Sequence, residues 1–75
     1  MTVRDVVSKF LDENRLSYRG LAVVLSDTCP ITAAAIGQWM TGETKPGIKT
    51  LRILATAEDV RVKSLADELL ALTEA

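Results

Sequence analysis

The chain contains no histidine. The side chain most often used as a general base and as a metal ligand is therefore missing. Cys29 is the only cysteine, which excludes an internal disulfide and a cysteine-cluster zinc site. A catalytic thiol needs a base to ionise it, and no imidazole is present to serve. Cys29 reads instead as a small apolar loop residue. Aromatic residues are as scarce, with one Phe, one Trp and one Tyr among 75 residues. No uncharged apolar run reaches the length of a membrane span, and residues 1–5 lack the apolar core of a signal peptide. These absences predict a protein that is no enzyme, holds no metal, cofactor or evident small-molecule ligand, and has no membrane partner. An excess of one charge is also lacking: nine Lys and Arg face ten Asp and Glu, for a net charge of −1. Taken whole, that balance is unlike the basic surplus of most nucleic-acid binders.

What is present is helical periodicity. Hydrophobic residues make up 48% of the chain, enough for a globular core. Thr2 and Asp5 resemble a capping pair, and Val3, Val6, Val7, Phe10 and Leu11 follow on one helical face. A first helix is expected over 3–13. Ser17 is a suitable N-cap for a second, with Leu21, Ala22, Val24 and Leu25 on its apolar face. It should end near Ser26, because Asp27, Thr28, Cys29 and Pro30 are turn chemistry. Thr32 can cap a third helix over 33–40, with Ile36 and Trp39 sharing a face and Gly42 as its stop. A longer third helix with Pro30 in its first turn is the alternative. Ile48, Leu51, Leu54 and Ala55 mark a fourth helix over 48–57, and Pro46 should start it. Val62, Leu65, Ala66, Leu69 and Leu70 mark a fifth over 62–73. The fold class expected is all-α: one compact five-helix domain over 1–75. A core this small gains from a second copy.

The middle of the chain carries an ordered set: Ser17, Leu21-Ala22, Leu25, Thr32, Ile36, Trp39, Gly42, Pro46, Leu51, Leu54-Ala55 and Val60. This set resembles the helix-turn-helix domain of the Cro and lambda-repressor-like family over about residues 15–66. Leu21, Ala22, Leu25, Ile36 and Trp39 would form the seam between two crossing helices. Apolar stripes alone would equally suit a generic helical bundle; the Trp-x-x-Gly-x-x-x-Pro block between two capped helices favours the helix-turn-helix, over about 17–41. One departure stands out. Leu21 to Ile36 spans fifteen positions, more than the family's spacing, and the surplus falls within 26–30. The turn is therefore lengthened, which a surface loop absorbs at small entropic cost.

The resemblance implies that the third helix enters the major groove of DNA. By position, Thr32, Ala33, Ala34, Gly37 and Gln38 would face the bases. Gln38 is the only long polar side chain among them and can pair bidentately with adenine, while the alanines can touch thymine methyls. With no Arg on that face for guanine, DNA shape and half-site spacing should carry part of the specificity. Arg15, Arg19, Thr41, Thr44, Lys45, Lys49 and Arg52 would hold phosphates. Leu69, Leu70 and Leu72 widen the apolar face of the last helix and are the candidate dimer contacts; Ala71, Thr73 and Ala75 leave its remaining surface small.

The expected function is a sequence-specific transcriptional regulator: a small Cro-like repressor of a bacterium or its phage, cytoplasmic, binding double-stranded DNA as a homodimer. The alternative is a protein-interaction module on the same fold, such as a phage-encoded inhibitor or antitoxin-type partner, without DNA binding. An acyl-carrier-like protein is set aside, because Lys63-Ser64-Leu65 lacks the Asp of an attachment site and lies near the end of the chain. The uneven placement of charge bears on the choice. Residues 15–57 hold five cations against two carboxylates, while 1–14 and 58–75 are net acidic. The near-neutral total thus conceals a basic centre with two acidic ends, which would limit non-specific affinity rather than forbid DNA.

Overall fold

Thr2 and Asp5 form the capping box that begins the first helix. In the computed structural model, which describes residues 2–74, the Asp5 N–H donates to Thr2 Oγ1 at 3.2 Å and the Thr2 N–H donates to Asp5 Oδ2 at 3.0 Å. Helix α1 then runs Val3–Asn14. Arg15 ends it in the left-handed conformation, with φ 52°. The N–H groups of Arg15 and Leu16 turn back to the carbonyls of Asp12 and Leu11, a Schellman arrangement that satisfies two orphan acceptors.

Ser17 caps α2 (Tyr18–Ser26) by accepting from the Gly20 N–H at 3.1 Å. Thr32 caps α3 (Ala33–Thr41) by accepting from the Ala35 N–H at 3.1 Å. Pro30 therefore lies outside α3, in the connection. Gly42 closes α3 at φ 82°, a conformation that favours glycine. Helix α4 covers Ile48–Leu54 and α5 covers Val60–Glu74. No strand occurs among the described residues.

Two boundaries differ from the sequence pattern. Helix α4 ends at Leu54, because the Thr56 hydroxyl donates to the Ile53 carbonyl at 2.6 Å and the Thr56 and Ala57 N–H groups bond three residues back. That tightening turns the chain so that α5 packs against α4. Helix α5 starts two residues early because Asp59, directly before it, accepts from the Arg61 N–H at 2.9 Å. Pro46 is not the first residue of α4 either. It precedes the Gly47 N-cap and is buried, as is Leu51 four positions inside the cap, which are the two positions of a hydrophobic staple.

The core joins all five helices. Val6, Val7, Phe10 and Leu11 come from α1, the expected seam Leu21, Ala22, Leu25, Ile36 and Trp39 from α2 and α3, and Leu51, Leu54, Val62, Leu65, Ala66 and Leu69 from α4 and α5. Helix α1 packs on α3 and α5, and α2 packs on α3. Ile48 departs from its pattern: it is 41% exposed, since the first turn of so short a helix projects past the core.

Of the dimer contacts expected on α5, Leu69 needs correction. It is only 1% exposed and belongs to the chain's own core. Leu70 and Leu72 are half-buried and pack against that same core. Helix α5 packs on both α1 and α4. Ala75 lies outside the described residues.

Candidate nucleic-acid interface

The connection between α2 and α3 is held by the Ser26 hydroxyl. Ser26 Oγ donates to the Ala22 carbonyl at 2.6 Å and accepts from the Ile31 N–H at 3.4 Å. Ile31 is buried and Cys29 packs against the core, so the connection is anchored at two points rather than hanging free. The Thr28 and Cys29 N–H groups both return to the Leu25 carbonyl.

Helix α3 buries Ile36 and Trp39 and turns Ala34, Gln38 and Thr41 outward, at the three- and four-residue spacing of one helical face. Gly37 is half-exposed beside them. Ala33 is turned partly into the core, which leaves Ala34 as the freer methyl. Thr32 is exposed; its oxygen is used in the cap, and its hydroxyl proton remains able to donate.

The segment after α3 is tied to the backbone of Gln38. The Gln38 carbonyl accepts from the N–H groups of Gly42, Glu43 and Thr44, and from the Thr41 hydroxyl at 3.2 Å. Thr41 and Thr44 are thereby tied to the Gln38 backbone. Lys45, Lys49 and Arg52 follow, all exposed. Arg15 and Arg19, at the end of α1 and the start of α2, are also exposed. Among the described residues no carboxylate pairs with Arg15, Arg19, Lys45 or Lys49.

Of the four cations outside this region two are paired, while Arg4 and Lys63 also have no carboxylate partner among the described residues. Lys9 pairs with Glu13 at 3.8 Å along α1. Arg61 pairs with Asp59 at 3.0 Å and donates to Asn14 Oδ1 at 3.0 Å, which ties α5 to the end of α1. The Arg61 guanidinium holds the Asp59 carboxyl below its ordinary value, and Asp59 in turn raises Arg61. Asp5 is held low chiefly by the Thr2 N–H.

Two residues escaped the sequence pattern. Tyr18, to which the sequence pattern gives no role, is 41% exposed. It stands at the first position of α2 and overhangs α3, with its ring carbons beside Gly37. Arg4 shares a groove with Asp12, Tyr18, Met40 and Thr41, so a cation from the acidic first segment borders α3. No local signal links Arg4 to α3; only the packing of α1 on α3 does.

Among the described residues no group of His, Cys, Asp or Glu could hold a metal ion, and no helix is long and apolar enough to cross a membrane. No protein-family model, curated protein or solved structure matches the chain.

Proposed function

We propose that the chain is a sequence-specific DNA-binding regulator, with α2 and α3 acting as a helix-turn-helix and α3 entering the major groove. The observation that carries this reading is the exposed face of α3, followed and preceded in the chain by exposed cations that no described carboxylate engages at Arg15, Arg19, Lys45 and Lys49. Phosphates would supply the missing anions and fix the register, while Gln38 and Ala34 read base edges. One α3 offers a single long polar reader, so two copies on a two-fold site would double a thin contact set. Repression would be steric, by occupation of a promoter.

A protein-interaction module is the second reading. A groove of about 420 Å³ between α1 and α5 favours it, with Phe10 and Leu65 among its apolar lining and Lys9, Glu13 and Arg61 among its charges. Binding to a random-sequence duplex pool at increasing salt separates the two. If all five cations of 15–57 met phosphates, log affinity would fall against log salt with a slope of about −4.5 per copy. Absence of any duplex binding at low salt refutes the regulator and leaves the interaction module.

A further inference from the structure

Gly37 occupies a position where the fold requires no glycine. It lies in the middle of α3, a helix otherwise rich in alanine, and its φ is not positive. A Cβ added there would meet only the Tyr18 ring carbons Cδ2 and Cε2, both at 4.0 Å, which is ordinary contact. Gly20 is different, because a Cβ there would come within 3.2 Å of Leu16 Cδ2. An interior helical glycine weakens the helix relative to alanine, so Gly37 lowers stability with no gain in packing. Positions that break a local rule without structural return are where function is to be sought.

The missing side chain uncovers Tyr18. The phenol reaches over from α2 to the space where a side chain of residue 37 would begin, and it stays 41% exposed. Helix α3 itself presents only Ala34, Gln38 and Thr41 outward, a set with one long polar group. We infer that the reading face is composite: Tyr18 of α2 contacts base edges in the place of the side chain that α3 lacks at Gly37. This inference rests on the DNA-binding reading. The chemistry suits a specificity contact. The ring offers an apolar surface to a thymine methyl, and the hydroxyl both donates and accepts.

The test uses the full chain. A duplex is selected from a random pool with the wild-type protein, and binding of Tyr18→Ala, Tyr18→Phe and Gly37→Ala is measured on that duplex and on an unselected one. Tyr18→Ala should weaken the selected duplex by about five- to hundredfold and leave the unselected duplex nearly unchanged. Tyr18→Phe, which keeps the ring and the fold, should weaken the selected duplex alone by about fivefold through loss of one hydrogen bond. Gly37→Ala should raise Tm by roughly 2–8 °C and leave the selected duplex nearly unaffected, because a Cβ 4.0 Å from the ring leaves Tyr18 in place. Equal losses on both duplexes for the Tyr18 variants would make Tyr18 a phosphate contact and overturn the inference, while DNA binding itself stands. A lower Tm for Gly37→Ala would assign the glycine to the fold and also overturn it. A wild-type chain that binds neither pool nor duplex overturns the DNA reading and the inference together.

Discussion

Truncating Leu69 to alanine separates a core residue from an interface residue. Leu69 is 1% exposed on α5, which packs on both α1 and α4. The substitution removes the equivalent of three buried methylene groups, or about 2.4 kcal/mol of transfer free energy. A cavity follows, since helices pinned on two sides collapse only in part, and the total reaches about 3–4 kcal/mol. A domain of this size has about 4–11 kcal/mol of stability, so the loss is a large fraction of it. The thermal midpoint should fall by roughly 12–30 °C. Urea unfolding followed by the fluorescence of Trp39, the only tryptophan and itself buried, gives the measurement. The curves should not depend on protein concentration. A loss below about 1 kcal/mol, or a wild-type midpoint that rises with concentration and ceases to do so in the variant, would refute the assignment of Leu69 to the monomer core.

Ser26→Ala should cost about 1–2 kcal/mol, because the Ile31 N–H loses its acceptor, and hydrogen exchange at Ile31 should accelerate; unchanged exchange would show that the loop does not depend on this hydroxyl. Asp5 and Asp59 have folded pKa values below the ordinary 3.8, so their stabilisation is fully present above that value and lost as pH falls through the depressed folded values. Thermal midpoints taken from neutral pH down through the carboxylate range should show that loss, and Asp59→Asn should make the acid limb shallower. Replacing Lys45 and Lys49 together with alanine should reduce the salt slope by about 1.8 on every duplex alike; a sequence-dependent change would count against phosphate contacts. Gln38→Ala should shift preference at one base pair by about 1–3 kcal/mol with little change in Tm, since the side chain is exposed. Uniform weakening would show that Gln38 is not a reader.

Legibility followed locality. The helix starts at Thr2, Ser17 and Thr32 were readable because a cap is a bond between residues three apart, and the three bonds form as the pattern predicts. Gly42 was readable for the same reason, as a residue type matched to a positive φ. The seam residues were readable from period alone. Ile48 was misplaced by that same period. Periodicity reports the direction in which a side chain points, and Ile48 sits in the first turn of a short helix, where it stays exposed. The end of α4 was overestimated because Ala55 and Ala57 continue an apolar pattern that the Thr56 hydroxyl interrupts.

The amino-acid sequence by itself determined an all-helical chain of five segments, their caps, most of the core and a basic centre between acidic ends. All of these depend on neighbours within a few residues or on composition. The tertiary structure alone decided four further matters. Leu69 faces inward rather than outward; Ser26 and Ile31 hold the connection between α2 and α3; Arg61 joins α5 to α1 through Asn14; and Tyr18 and Arg4 come beside α3. Each requires knowing how far one helix reaches across another. That distance is set by the packing of the whole core, and no local pattern encodes it.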